Sequence, residues 1–233
     1  PTLTANVTVS EGFLTDYWDT SFSPASQVTY SGTTASVTAS ATRSVIKSGY
    51  HMYDYGGLAD REKIYWEIYI GSANSSGDVG GVGIVDDTAP NNAYIGSSGG
   101  ALGFGYGSGN EQTWWNTFSG LAFPSGNPPA GSQLAAGNCY MFALDMNAGK
   151  LWVGMNGTWW NSGNPAGGTA PAATGTALQG STSYVSSGTS PAPNLHPAVV
   201  FYGSTSTPAS AGAVSITGHF SAATYYYNPP FGF

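Results

Sequence analysis

The stretch KIYWEIYI, residues 63–70, decides the fold class of this chain. Every second residue of the stretch is a large apolar one, namely Ile64, Trp66, Ile68 and Ile70. The positions between them carry Tyr65, Glu67 and Tyr69. An apolar residue at every second position predicts a β-strand that turns one face toward a core.

Other segments of the chain repeat this pattern, and turn residues such as glycine, proline and asparagine separate them. Strands are predicted at 27–32, 35–40, 79–87, 100–107, 139–146, 150–155, 196–203 and 213–220. No window shows the 3.6-residue period of an amphipathic helix. The sequence therefore predicts an all-β chain, an antiparallel β-sandwich with long loops rich in glycine, proline and threonine.

The chain carries very little charge for its 233 residues. Charged residues make up 7% of it, the formal net charge is −7, and its basic residues are Arg43, Lys47, Arg61, Lys63 and Lys150. Nucleic-acid binding needs several cationic contacts to phosphates, and anionic membranes attract clusters of Lys and Arg. Neither a nucleic acid nor a membrane is therefore an expected partner.

Two long segments interrupt the strand pattern and are predicted as loops, 110–136 and 161–194. Long loops in a compact domain usually carry function. Residues 166–193 have few large apolar side chains, so we expect them to bury too little surface to offset their ordering entropy. We divide the chain into N-terminal strands at 1–44, a sandwich at 45–220 and an aromatic tail at 221–233.

The run DMNAGKLWVGMNGTWW, residues 145–160, predicts two successive turns. One turn lies at Asn147-Ala148-Gly149, and the other lies at Asn156-Gly157, a pair that tolerates positive φ at both central positions of a type I′ turn. Trp152 and Trp159 then lie on neighbouring strands and are predicted to be structural. Trp160, which faces the other way, is equally consistent with a structural and a binding role.

No arrangement of residue types in the chain predicts a catalytic or metal site. Glycoside hydrolysis needs paired carboxylates, and Glu62 and Glu67 are predicted on opposite faces of one strand. Asp86-Asp87 is expected to be a solvated turn, with a Ca²⁺ site as the alternative. His51, His196 and His219 share no ligand spacing, and Cys139 is expected to be a buried thiol. We predict no catalytic residues, no metal and no cofactor.

Aromatic side chains outside the predicted strands are the candidate binding residues, because Trp and Tyr stack on sugars and anchor protein interfaces. They are Trp114, Trp115, Trp160, Tyr225, Tyr226, Tyr227, Phe231 and Phe233. The last five fall within nine residues that also contain Pro229-Pro230. So much apolar surface in one short segment predicts that residues 225–233 dock, either on their own sandwich or on a neighbouring subunit.

An ordered set of motifs between residues 45 and 220 resembles the SPRY (B30.2-like) domain. The set comprises Tyr65-Trp66-Glu67, Val82-Gly83-Ile84, the hairpin with Leu144, Asp145, Gly149, Leu151, Trp152, Asn156 and Gly157, and Leu195-His196-Pro197-Ala198-Val199. The resemblance implies a bent antiparallel β-sandwich that acts as a binding module. The run Trp160, Gly163, Asn164, Pro165 is similar to SPRY-like domains of bacteriophage structural proteins. The segment NPPFGF lies outside the family pattern.

Together with the low charge, the resemblance favours a non-catalytic protein on a virion surface. We expect it to decorate a phage capsid or tail and to contact other virion proteins or further copies of itself. The alternative is a carbohydrate-binding adhesin, the receptor-binding domain of a tail fibre or of an extracellular surface protein, with a host surface glycan as its ligand. A hydrolase with an unrecognised site is the third hypothesis.

Overall fold

The computed structural model describes residues 17–22, 28–37, 43–49, 63–73, 79–92, 95, 99–106, 112–179, 195–202 and 214–233. These residues form thirteen β-strands, and their helical content is limited to two 3₁₀ segments, Trp160–Ser162 and Thr176–Gln179. The all-β prediction is confirmed. Among the same residues, no helix is long and apolar enough to cross a membrane.

The strands are β1 (Val28–Ser31), β2 (Thr34–Val37), β3 (Arg43–Lys47), β4 (Lys63–Ser72), β5 (Val79–Asp86), β6 (Ala101–Tyr106), β7 (Gln112–Asn116), β8 (Cys139–Asp145), β9 (Lys150–Met155), β10 (Thr158–Trp159), β11 (Ala173–Thr174), β12 (Leu195–Tyr202) and β13 (Ser215–His219). One sheet has the order β1-β2-β13-β4-β8-β9-β10, and β11 also pairs with β9. The second sheet has the order β3-β12-β5-β6-β7. The strand pairs are antiparallel, and the two sheets form the predicted sandwich.

The inner core lies between the two sheets and is built by alternate residues of their central strands. On β4 the residues that face inward are those that the alternation predicted, and Trp66, Ile68 and Ile70 are fully buried. The Trp66 ring stacks on Phe142 of β8, with 4.9 Å between ring centroids and 2° between planes. The inner face of strand β4 is therefore confirmed as a core face.

Strands β3, β7 and β11 were not expected from the sequence. Strand β7 lies inside the predicted loop 110–136 and pairs with β6, so Trp114 and Trp115 are strand residues. Strand β11 and a 3₁₀ turn lie inside the predicted loop 161–194, and Ala173 and Leu178 are fully buried there. The expectation that residues 166–193 bury too little surface is therefore wrong for 166–179, while 180–193 lie outside the described residues.

The two predicted hairpin turns are confirmed. Asn156 and Gly157 both have positive φ, 51° and 84°, as a type I′ turn between β9 and β10 requires. Gly149 has a φ of 59° in the turn between β8 and β9, where the Asp145 carboxylate accepts a hydrogen bond from the Ala148 N–H. These turns set the register that pairs Trp152 of β9 with Ala143 of β8.

Candidate functional site

The tail returns across the outer face of the eight-stranded sheet. Strand β13 ends at His219, and a turn follows in which the Thr224 N–H donates to the Ser221 carbonyl at 3.0 Å. Beyond it, the tail packs on a cluster that faces away from the inner core. This outer cluster consists of Tyr65, Met141, Ala143 and Trp152, with Trp159, Tyr225, Tyr227 and Phe233 packed against it. The tail therefore docks on its own sandwich, which is the first of the two predicted alternatives.

Glu67, in the middle of β4, is the polar anchor of the tail, and its side chain is completely buried (0% exposed). Its carboxylate accepts the backbone N–H of Tyr226 at 2.7 Å and of Tyr227 at 2.9 Å. The Tyr65 hydroxyl donates to the same carboxylate at 2.6 Å, and the Cys139 thiol lies 3.8 Å from it. Four donors converge on two oxygens, which is the arrangement that satisfies a buried carboxylate without a cation.

The electrostatics of the anchor follow from burial beside a negative charge. Burial, followed by the hydrogen bond to Glu67 and its charge, raises the pKa of Tyr65 far above its ordinary value. Burial and the charge of Glu67 also raise the pKa of the Cys139 thiol far above its ordinary value. Both groups therefore remain protonated donors to Glu67 at physiological pH, and the thiol is not poised for nucleophilic chemistry.

Aromatic contacts fix the tail on both sides of the anchor. The Tyr225 ring meets the Tyr65 ring edge-on at 4.7 Å, and its hydroxyl donates to the Tyr65 carbonyl at 2.5 Å. At the other side, Phe233 meets the Trp152 ring edge-on at 6.2 Å, and the Lys63 ammonium lies 5.0 Å from the Phe233 ring centroid. Edge-to-face pairs of this kind are favoured by the ring quadrupole.

Two aromatic side chains of the tail point away from these contacts. Phe231 is 90% exposed and Tyr226 is 59% exposed. Phe231 lies in a turn closed by the Phe233 N–H donating to the Pro230 carbonyl at 3.0 Å, with Gly232 at a φ of 85°. The Tyr226 ring lies against His219 and Tyr69, at 4.8 and 5.2 Å between ring centroids. The docked segment therefore presents Phe231 and Tyr226 outward from a fixed backbone.

The remaining candidate tryptophans do not join the tail. Trp160 is only 7% exposed and packs in the inner core, 4.7 Å from Phe104 and 6.3 Å from Trp114. Trp114 is partly buried, stacks on Phe123, and donates its indole N–H to the Gly126 carbonyl. Trp115 is also partly buried, and it faces away from Trp114. These positions favour a packing role for Trp160 and leave the tail as the strongest candidate surface.

The acidic pair Asp86-Asp87 is not a solvated turn, because Asp86 is buried. Its carboxylate accepts the Thr88 N–H and hydroxyl and the Gly100 N–H. Asp87 turns the other way and contacts Lys47 at 3.0 Å and His196 at 2.9 Å. Burial alone would raise the pKa of Asp87, but hydrogen bonds from Lys47 and His196 outweigh it and lower the pKa to about 2.

The Asp87 network has the partners of a structural ion pair. Lys47 and His196 are buried, and His196 also contacts the Ser48 carbonyl through its other ring nitrogen at 3.0 Å. Through these contacts the Asp87 network joins β3 and β12 to the turn after β5. Across the part of the chain that the structure describes, no group of three His, Cys, Asp or Glu side chains is placed to hold a metal ion. Among the predicted histidines and acids, His51 and Glu62 lie outside that part.

Sequence reasoning identified the tail but missed Glu67 as its anchor. The sequence marks this face only indirectly, since Glu67 is a charged residue whose neighbours on the same face of the strand are aromatic, and it does not indicate which segment covers the face. It also missed the contact between Asp87 and His196, residues 109 positions apart in the chain. Only the pairing of β5 with β12 brings these two side chains together.

No protein-family model matches this chain, and no curated protein sequence matches it. Solved structures do resemble it. The SPRY domain of human HERC1 has a TM-score of 0.53 and 14% identity, and the match covers 88% of this chain and 99% of that domain. The exoplasmic/lumenal domain of VIP36, in a Ca²⁺/Man-bound form, has a TM-score of 0.42 and 9% identity over 86% of this chain and 83% of that chain. The likeness to the HERC1 domain shows that the chain has a SPRY-like β-sandwich fold.

Proposed function

We propose that this protein is a non-catalytic structural or decoration protein of a virion, and that it contacts neighbouring virion proteins through its tail. One observation carries the proposal, namely that Phe231 is 90% exposed on a segment fixed by buried contacts. Exposed aromatic side chains that fill a partner's pocket dominate the energy of many protein interfaces. Because the turn at Pro230–Phe233 is already closed, binding would cost little ordering entropy.

The composition supports a surface role in an assembled particle. Solubility here depends on uncharged polar residues, since only 7% of the residues are charged. An interface formed by such a surface would bury few unpaired charges, which are costly to desolvate. The phage context is carried by the resemblance of Trp160, Gly163, Asn164 and Pro165 to SPRY-like domains of phage structural proteins.

The placement of three carboxylates, those of Glu67, Asp86 and Asp87, supports a role without catalysis. The Glu67 carboxylate is closed off beneath the tail, and Asp86 is buried among backbone and hydroxyl donors. Asp87 is held by Lys47 and His196. A general acid or base must reach the proton that it transfers, so buried carboxylates such as Glu67 and Asp86 are poor candidates, and Asp87 is engaged by an ion pair.

Carbohydrate binding is the second candidate, and the exposed Tyr226 ring is the observation that favours it. Tyr226 is 59% exposed and its ring is supported by His219 and Tyr69. A supported, exposed tyrosine is the kind of platform on which a sugar ring stacks. Under this hypothesis the protein is a receptor-binding module at the virion or cell surface.

The proposal is tested by measuring whether the protein binds to virus particles purified from the organism that produces it. The chain should be detected in these particles by mass spectrometry, and added labelled protein should bind particles from which it has been stripped. Phe231→Ala should weaken that binding at least about tenfold, as expected for the loss of an aromatic anchor. Tyr17→Ala is the matched control, because Tyr17 is another exposed aromatic residue, 44% exposed, outside the tail.

Two results would contradict the virion proposal. Absence of the chain from purified particles would overturn it, and so would wild-type binding by a folded Phe231→Ala variant. A glycan array then separates the second candidate. Retention of one glycan class by the wild type, and its loss in Tyr226→Ala, would assign the surface to carbohydrate.

A further inference from the structure

We propose that Glu67 and the outer cluster form a peptide-binding site, and that this site also takes residues 225–233 of a second copy of the chain. In the structure the site holds the chain's own segment. The exchange rests on the proposed function in one respect, because it needs copies held side by side, as they are on a particle. The peptide site itself does not depend on the virion.

The polar part of the site recognises backbone. Both oxygens of the Glu67 carboxylate are used, one by the Tyr226 N–H and the other by the Tyr227 N–H. Two successive amide groups are thus held by one buried charge, and charge-assisted hydrogen bonds are about twice as strong as neutral ones. The Tyr65 hydroxyl holds the carboxylate in place from the side. A peptide needs two consecutive N–H groups to meet this requirement, whichever chain supplies it.

The apolar part of the site supplies selectivity. An aromatic ring at 225 meets Tyr65, and one at 233 meets Trp152 and Lys63. The intervening Pro229-Pro230 stiffens the chain between these two contacts. Only a segment with aromatic residues at both positions satisfies the site, and the segment known to do so is the tail of this protein.

Undocking and redocking of the tail would leave the hydrogen bonds of both sheets intact. None of residues 221–233 belongs to a strand, so no sheet hydrogen bond depends on them. An empty site would expose Tyr65, Met141 and Trp152, which are now between 1% and 3% exposed. Exposure of so much apolar surface is unfavourable, so an open site refills from the nearest tail.

The local concentration of each tail determines whether a chain's own tail or that of a second copy occupies the site. A short tether holds its ligand at an effective concentration in the range of about 1 mM. A dilute chain therefore closes on itself. Neighbouring copies compete only when their own tails reach a comparable local concentration, and the exchanged state makes the same contacts as the closed one.

A peptide titration of the full chain tests the site. The probe is a fluorescein-labelled peptide with the sequence SAATYYYNPPFGF, residues 221–233, followed by fluorescence anisotropy. A chain with Tyr225→Ala should bind it more tightly than the wild type, because its own tail has lost the contacts to Tyr65. Adding Glu67→Gln should weaken binding at least about tenfold, since the amide presents a donor to one of the two N–H groups. Asp19→Asn makes the same change of charge at a carboxylate that accepts hydrogen bonds from Ser21 instead of the tail, so adding it should leave binding unchanged.

Folding of each variant is checked by circular dichroism. If Tyr225→Ala fails to fold, the wild type is titrated with peptide above about 1 mM, where the peptide competes with the chain's own tail. Absence of peptide binding to any folded chain would overturn the site. Equal binding by the Glu67→Gln chain would overturn its carboxylate as the anchor. Neither result depends on particles, so the failure of particle rebinding would count against the proposed function alone.

Occupation by a second copy is tested by photocrosslinking. An isotopically heavy chain with p-benzoylphenylalanine in place of Phe233 is mixed with a light wild-type chain and irradiated at rising concentration. Heavy–light products should appear near millimolar concentration and disappear when free peptide is added. If every crosslink stays within the heavy chain at all concentrations, exchange with a second copy is overturned.

Discussion

At the scale of the residue, Glu67 illustrates how burial and charge are reconciled in this protein. A carboxylate that is fully removed from water is costly unless donors surround it. The donors come from Tyr65 on the same strand, from the backbone of Tyr226 and Tyr227, and from Cys139. The side chain is stable where it is because a segment about 160 residues later in the sequence lies on it. No local pattern around residue 67 contains that information.

Trp66 and Trp152 form a natural pair for measuring the cost of an unpaired indole donor. Both are 1% exposed, but the Trp152 N–H donates to the Thr169 carbonyl at 2.7 Å, whereas the buried Trp66 N–H has no acceptor among the described residues. Replacing each by Phe removes similar apolar volume. Trp152→Phe should therefore cost roughly 1 to 3 kcal/mol more in the free energy of unfolding than Trp66→Phe, measured by urea denaturation. A larger loss for Trp66→Phe would mean that its N–H is satisfied.

Asp87 should give the protein a pH-dependent contribution to stability. Its folded pKa of about 2 lies below the ordinary value of 3.8, so its carboxylate favours the folded state above pH 3.8. That contribution is lost as pH falls from about 4 to about 2. Because the Asp87 side chain is 42% exposed, solvent screening limits the effect to roughly 1 kcal/mol.

The measurement for Asp87 is the melting temperature of the wild type and of Asp87→Asn between pH 2 and 7. The wild type should be more stable at pH 6, and the two curves should converge toward pH 2. A constant difference across this range would show that the side chain does not titrate between its folded and unfolded values.

At the scale of the element, strand β4 has two covered faces for different reasons. Its inner face was predictable because the residues that fill it alternate within eight residues of sequence. Its outer face was not, because the cover arrives from the tail. Strands β3 and β7 were missed for a related reason. RSVIK and QTWWN are short, have polar ends, and become strands by pairing with β12 and β6.

The candidate site was likewise predictable in part. The aromatic density of residues 225–233 predicted a docking segment, and the structure shows it docked. Which rings are buried and which are presented was not predictable from density. Tyr225 and Phe233 pack while Phe231 is exposed, because Glu67 and the turn at Pro230–Phe233 fix the orientation of the backbone.

Cys139 provides a probe of the tail as an element. Its thiol is buried beside Glu67, and its raised pKa leaves little reactive thiolate. Labelling by a thiol reagent should be slow in the wild type and faster in Tyr225→Ala, in which the tail is loosened. Tyr17→Ala should label at the wild-type rate. Equal rates for Tyr225→Ala and the wild type would mean that the tail does not limit access to the thiol.

At the scale of the whole molecule, the sheet order makes the sandwich one cooperative unit. Strand β13 pairs with β2 on one side and with β4 on the other. Among the strands that the structure describes, the hairpin of β1 and β2 therefore pairs with the rest of the large sheet through β13. The inner core in turn draws on both sheets, from Val28 to Phe220.

Unfolding should therefore occur in one transition. Tryptophan fluorescence and far-ultraviolet circular dichroism should give coincident urea curves, as two-state behaviour requires. Deleting residues 225–233 should shift both curves together to lower urea, because Tyr65, Met141 and Trp152 lose their cover. Separate transitions would show that the N-terminal strands unfold on their own.

The position of β13 between β2 and β4 also has a consequence for the nascent chain during translation. The ribosome synthesises β1 and β2 before β13, the strand that pairs with both β2 and β4. Strand β13 follows about 180 residues later in the chain. Until then the edges of β2 and β4 are unpaired, and unpaired edges invite association between chains. Synthesis of this protein should therefore depend on chaperones that shield strands during translation. The yield of folded protein should fall as the time between synthesis of β2 and synthesis of β13 increases.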